Sequence, residues 1–207
     1  MGPDLQKKTL HASEQERPDV KEAREKWQKE QPQLEAGRLV FIDETGAATN
    51  MTRRYGRAQR GERCVAGVPF GHRKTNTFIA ALRHDGLHAP WVLDGPLNGD
   101  AFTVYVRDVL APSLRPGDTV ICDNLSSHKA AGAAEALEAC GAKLVFLPPY
   151  SPDLNPIEKF YSRLKSLLRK AGRRTLEGLL SGIAEVVQTV TPEECGNYFK
   201  ACGYAAS

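Results

Sequence analysis

From residue 38 onward the chain alternates apolar runs with polar breaks at the spacing of strands and helices. Residues 38–43 (Arg38-Leu39-Val40-Phe41-Ile42-Asp43) form an apolar run closed by an acid, which predicts a buried strand followed by a turn at Thr45-Gly46. Residues 119–123 (Thr119-Val120-Ile121-Cys122-Asp123) repeat that pattern. Residues 63–69, 76–83, 89–93 and 143–147 read as further strands, with turns at His84-Asp85-Gly86 and Pro116-Gly117-Asp118. Residues 99–110 have helical periodicity, with Phe102, Val106 and Val109/Leu110 on one face. An Ala-rich helix is predicted over 129–140, closed by Gly141, and a further helix starts at Pro156. Two more follow at about 175–190 and 192–201. Strands first, then alternating helix and strand, then helices, predict an α/β fold: a mixed sheet with helices packed on it.

Residues 1–37 differ in character and read as a charged helical arm or linker ahead of a body at 38–207. Residues 19–31 have strong helical propensity, and Pro18 suits a first turn. Val20 and Trp27 are that helix's only large apolar anchors, so it docks by that one side or stays free.

At 207 residues and 41% hydrophobic, the chain can fill one domain's core plus an extension. No apolar run approaches the roughly 20 residues of a membrane span. The charged N-terminus does not resemble a signal peptide, so the expected location is cytoplasmic, with no membrane partner. The five cysteines are odd in number and form no C-x-x-C pair, which argues against a disulfide framework or a zinc site. The net charge of +3 is mild, but basic residues cluster in 53–74 and 159–174. Such clusters suit a phosphate backbone, or simply a solvated face. The candidates are Arg53, Arg54, Arg57 and Arg60 in a basic loop, and Lys159, Lys165 and Arg169 on the helix after Pro156.

Candidate chemistry comes from carboxylates. Asp43 and Asp123 each close an apolar run, so each sits at a sheet rim, and the two converge if their strands are neighbours. Either alone is equally a turn former. Glu158 falls at N3 of a helix with Asn155 as N-cap and Pro156 at N1, which a capping box would explain. It also heads a polar stripe of Ser162, Lys165 and Arg169, opposite an apolar stripe of Ile157, Tyr161, Leu164 and Leu168. Carboxylates without a His/Cys cluster favour Mg²⁺ or Mn²⁺. Two such ions about 3.5–4 Å apart suit phosphoryl transfer, which needs charge neutralisation more than a protein nucleophile. The sequence has no P-loop, G-x-G-x-x-G or Ser-His-Asp arrangement to compete.

Three segments resemble the catalytic motifs of mariner-type DDE transposases, in particular their bacterial insertion-sequence branch. They are Asp43-Glu44-Thr45-Gly46, Asp123-Asn124-Leu125-Ser126-Ser127-His128, and the long Pro148-Pro149-Tyr150-Ser151-Pro152-Asp153-Leu154-Asn155-Pro156-Ile157-Glu158. The 34 residues between Asp123 and Glu158 fit that branch. The resemblance implies an RNase H-like, five-stranded mixed sheet flanked by helices, spanning the body from residue 38. It implies Asp43, Asp123 and Glu158 as catalytic and metal-binding acids holding two Mg²⁺ or Mn²⁺ ions. It implies DNA cleavage at transposon ends and joining to a target, typically at a TA dinucleotide, by a homodimer on DNA. It selects Asp43 over its neighbour Glu44, which strand alternation puts on the other face. Asn124 and His128 take supporting roles, although a surface histidine at a helix start is an alternative for His128. Relatives carry helix-turn-helix modules that 37 residues cannot hold, so end recognition is expected in a module encoded separately or removed. Two other functions stay open. One is a non-catalytic DNA-binding or assembly module; the other is a structure-selective nuclease of the same fold.

Overall fold

A computed structural model of the chain describes residues 12–53, 55–68 and 75–204. Among them is one five-stranded sheet in the order β3-β2-β1-β4-β5. Its strands are β1 (Leu39–Ala48), β2 (Thr75–Arg83), β3 (Gly86–Asp94), β4 (Thr119–Cys122) and β5 (Lys143–Phe146). The β1, β2 and β3 strands run antiparallel, whereas β4 and β5 lie parallel to β1. The sheet is therefore mixed, as expected. The helices are α1 (Pro18–Glu30), α2 (Gly99–Val104), α3 (Ala131–Ala139), α4 (Pro156–Ala171), α5 (Leu176–Gln188) and α6 (Pro192–Ala201). The helix read over 99–110 is present throughout, but its second half, Tyr105–Leu110, is wound as a π-helix.

The apolar run of β1 is continuous because both faces of this central strand are covered. Leu39 and Phe41 join a core with α4, α5 and α6. Val40 and Ile42 join a second core with Phe102, Tyr105, Val106 and Leu110, and with Ala133 and Leu137 of α3. Phe41 is wholly buried, with its ring 5.2 Å from that of Phe199 and 4.8 Å from that of Tyr204. Deleting such a ring costs about 3–5 kcal/mol.

Two local readings are corrected. The turn at Thr45-Gly46 is absent: β1 runs on to Ala48, paired with β2 as far as Ala48↔Thr75. A full ladder of backbone bonds outweighs the local preference of a Thr-Gly pair. The strand read over 63–69 does not form in 63–68, where every residue is exposed and Val65 is 87% so; Pro69 lies outside the described residues. Without a partner strand, an alternating run has no ladder to hold it.

The arm docks. Val20 is buried, and Trp27 packs against the core under α4–α6. The Trp27 indole N–H donates to Tyr204 Oη at 3.1 Å, and buried Gln31 donates to the Cys202 carbonyl at 2.7 Å. Across the sheet, Arg83 at the end of β2 reaches Asp118 ahead of β4 at 2.6 Å, with side chains 2% and 0% exposed. No helix among the described residues is long and apolar enough to cross a membrane.

Candidate active site

Strand register brings the two aspartates together. The β1–β4 pairing sets Leu39 by Thr119, Val40 by Val120 and Phe41 by Ile121. Carrying that register two residues further sets Asp123 beside Asp43. Both share the face of Phe41 and Ile121, which α4 covers. The third acid comes from α4, whose apolar stripe Ile157, Tyr161, Leu164 and Leu168 is buried as read. With that stripe held down, Glu158 projects at the helix start. Asp43, Asp123 and Glu158 then line one cleft of about 360 Å³, with Asn124, Tyr150, Ser151 and Asn155 among its walls.

The bonding around the acids differs from the capping geometry. Asn155 occupies the N-cap position of α4, but its side chain makes no capping hydrogen bond. Its Nδ2 donates to Asp43 Oδ2 at 2.9 Å, while the Glu44 amide donates to Asp43 Oδ1 at 2.8 Å. The Tyr161 hydroxyl donates to the Asp43 backbone carbonyl. Glu158 forms no capping box, since only its backbone N–H turns back, to the Asn155 carbonyl at 3.2 Å. Asn155 and Tyr161 thus hold Asp43 in place, which the sequence pattern concealed. One passes for a cap and the other for core.

Glu44 lies on the opposite face from Asp43, as alternation requires. There its Oε2 lies 2.9 Å from His128 Nε2. His128 Nδ1 lies 2.7 Å from Asp123 Oδ1, a close ionic contact rather than a well-aligned hydrogen bond. His128 is wholly buried, its ring 4.6 Å from that of Phe102, which removes the surface-histidine alternative. Burial alone would lower its pKa, but Asp123, Cys122 and Glu44 outweigh that and push it up to about 12. It is therefore an imidazolium clamped between two carboxylates. Asn124 is exposed at the cleft rim.

The acids are short of positive charge. Burial, then Glu158, Asp123 and Glu44, hold the Asp43 carboxyl well above the usual carboxylate range. Burial raises Glu158 as well; Lys165 pulls it down, while Asp123 and Glu44 add to the rise. Among the described residues no three His, Cys, Asp or Glu side chains close into an ion cage. They line an open cleft instead. Among the described residues, none donates a hydrogen bond to Asp123 Oδ2 or to the Glu158 carboxylate. Free hard oxygens in a cleft of uncompensated negative charge fit a Mg²⁺- or Mn²⁺-type ion.

The basic candidates divide. Lys165 and Arg169 line a hollow with Asn50, Met51 and Thr52 just past β1. Arg53 faces Arg169 in an adjoining hollow with Tyr55, Ser166 and Lys170. Arg174, not singled out from sequence, lines a third with Arg53, Arg169 and Lys170. Its guanidinium donates to the Met51 carbonyl at 2.8 Å. Arg57 and Arg60 are exposed on the loop, Arg57 lining a further hollow with Cys64, which also lines the third, and Lys159 is exposed on α4. Arg54 lies outside the described residues.

Solved structures with the same fold include two Mos1 mariner transposase complexes. The paired-end complex with left transposon end has 17% identity, a TM-score of 0.77, and coverage of 98% of this chain and 64% of that one. The paired-end complex with Mn has 16% identity and a TM-score of 0.78, at the same coverage. This chain therefore spans under two thirds of those proteins. The isolated Mos1 catalytic domain has 15% identity and a TM-score of 0.65, with 96% of this chain and 92% of that chain covered. The five-stranded sheet and its flanking helices are thus the RNase H-like fold of that catalytic domain. No curated protein sequence matches the chain. The family described as DDE superfamily endonuclease matches residues 38–179, which hold all three acids, and the chain belongs to that family.

Proposed function

We propose that this chain is the catalytic domain of a transposase, of the bacterial insertion-sequence branch of the mariner group. It would cut DNA at transposon ends and join the freed 3′-hydroxyl to target DNA. The observation that carries this reading is the convergence of Asp43, Asp123 and Glu158, from three separate elements, on one cleft with Asn155 and His128 behind them. In this reading the three carboxylates hold two Mg²⁺ or Mn²⁺ ions. When bound, the ions supply an activated attacking oxygen and charge neutralisation at the leaving oxygen. Asn155 and the Glu44 amide fix the plane of the Asp43 carboxylate. The His128 imidazolium, steadied by Glu44, fixes Asp123. Tyr161 ties the Asp43 backbone to α4, so that Asp43 and Glu158 keep their relative places. Asn124 at the rim contacts the substrate phosphates.

The adjoining hollows past β1, lined by Arg53, Lys165 and Arg169, follow the DNA backbone away from the cut, and Arg54, Arg57, Arg60 and Lys159 extend that contact. The DNA partner is supported by this basic group beside the cleft, and by the similar Mos1 transposase structure being a complex with a transposon end. Work on paired ends implies a homodimer and an end-reading helix-turn-helix outside the chain. A TA target and a place on the bacterial nucleoid, in the cytoplasm, follow from the same reading.

Joining separates this function from a nuclease of the same fold. A duplex with a recessed 3′-hydroxyl is incubated with plasmid and Mn²⁺, and covalent joining is expected. Cleavage without joining, across a panel that includes RNA–DNA hybrids, would favour the nuclease. Metal-independent binding alone would favour a non-catalytic module.

A further inference from the structure

We propose that the arm ahead of β1 is a working part of the active site, with Arg24 as a positioning residue for the loop that presents Asn155 and Glu158. The proposal rests on the transposase reading for its kinetic consequence but not for its structural one.

The loop at 148–155 has a 3-10 turn at Pro152–Leu154, with backbone bonds from Leu154 to Ser151 and from Asn155 to Pro152, but its first half lacks such bonds. Pro148, Pro149 and Pro152 have no N–H to give, and Tyr150 sits in the left-handed region at φ 55°. A non-glycine residue keeps such a conformation only when its surroundings impose it. The arm is what imposes it. Gln15 Nε2 donates to the Tyr150 carbonyl at 2.6 Å. The Arg24 guanidinium forks, donating to Ser151 Oγ at 2.7 Å and to both carboxylate oxygens of Asp153, at 3.0 and 2.7 Å. Ser151 Oγ in turn donates to the Pro149 carbonyl at 3.0 Å. Trp27 donates to Tyr204 Oη, which donates to the Leu154 carbonyl at 2.9 Å. The next residue is Asn155, whose side chain holds Asp43. A continuous path thus runs from α1 through the loop to the central acid.

The chemistry of the fork makes Arg24 specific. A guanidinium matches a carboxylate along two parallel bonds, which a lysine ammonium cannot do. Asp153 is half exposed, so the pair contributes little to global stability. Its effect is on loop geometry, where misplacement of about 1 Å costs on the order of 10²-fold in rate.

The test uses the whole chain with Arg24→Ala, Arg24→Lys and the reciprocal Arg24→Asp/Asp153→Arg pair. Amide exchange is measured without metal or DNA, and Mn²⁺-dependent DNA nicking is measured beside it. Arg24→Ala should speed exchange at Tyr150, Ser151, Asp153 and Leu154 about tenfold or more, leaving β1 and β4 unchanged. Its kcat should fall on the order of 10- to 100-fold, with KM for DNA within about twofold of wild type. Arg24→Lys should not recover either readout, whereas the reciprocal pair should recover both in large part. Unchanged exchange and kcat in Arg24→Ala would overturn the proposal. If that variant unfolds, the reciprocal pair decides, because a refolded pair with an unprotected loop overturns it equally. If the wild-type chain nicks no DNA, the transposase reading fails, while the exchange comparison still judges the brace.

Discussion

Replacing Asn155 with aspartate separates two roles that this side chain could play. As the N-cap of α4, aspartate serves as well as asparagine, and near a helix N-terminus its charge adds about 0.3–1 kcal/mol. That role makes the substitution neutral or stabilising. The structure requires the opposite. Asn155 is 1% exposed and spends its amide on Asp43 Oδ2 at 2.9 Å. Aspartate cannot donate there unless it is protonated. The loss of a hydrogen bond to a charged group costs about 1.5–3 kcal/mol. A second carboxylate beside one that already resists ionisation adds like-charge repulsion, which the pair relieves by holding a proton. The expected destabilisation at neutral pH is about 2–4 kcal/mol. Both acids then have folded pKa values above their unfolded ones, so the folded state holds the extra proton. The penalty grows as pH rises through the folded values and disappears below about pH 4. Urea unfolding in chelator, at neutral pH and near pH 4, measures both points. Asn155→Ser, which keeps a capping oxygen, should show the lost bond without the charge penalty. An Asn155→Asp protein within about 0.5 kcal/mol of wild type at neutral pH would refute the reasoning.

Asp43→Asn should raise the urea midpoint of the metal-free protein at neutral pH. Asp43 has a raised folded pKa, so its ionisation penalises folding as pH rises through that value, and the gain should vanish near pH 4. Arg83→Met should cost about 3–5 kcal/mol in denaturant unfolding, because it strands buried Asp118. Burial raises the Asp118 pKa, but bonds from Arg83 and the Arg115 amide outweigh it and hold the carboxyl below its usual range. The Arg83–Asp118 contribution should therefore be intact above about pH 4 and lost as pH falls through the depressed value, as acid-unfolding curves of wild type and Asp118→Asn would show. Arg169→Ala should weaken DNA binding on all sequences alike and lower the slope of log K against log salt by about 1, measured by anisotropy titration.

The sheet and most helices were legible because their signals are periodic: the two-sided apolar run of β1, the Pro156 start and the stripe of α4. Asp123 was legible as a strand end and Asp43 as an acid closing an apolar run, although β1 continues past Asp43 to Ala48; the long third motif tied Glu158 to them. What stayed hidden depends on contacts far apart in sequence. The extension of β1 past Gly46 needs the β2 ladder. Asn155 satisfies every local rule for a cap, and only the approach of β1 diverts its amide to Asp43. Tyr161 counts as core by spacing, yet its hydroxyl holds a strand backbone. Arg24 lies among other charges on a helix whose docking rests on Val20 and Trp27, so nothing local marks it out. The failed strand at 63–68 is the reverse case, a local pattern with no tertiary partner to use it.

The central claim is that Asp43, Asp123 and Glu158 form one cation-dependent site for cutting DNA. Nicking of supercoiled plasmid by the whole chain tests it most directly. Wild type, Asp43→Asn, Asp123→Asn and Glu158→Gln are compared in Mn²⁺ and in chelator, with folding checked by thermal unfolding. Wild type should nick in Mn²⁺ and not in chelator, and each folded variant should fall to the chelator level. Equal nicking by wild type and Asp123→Asn, or undiminished nicking in chelator, would contradict it.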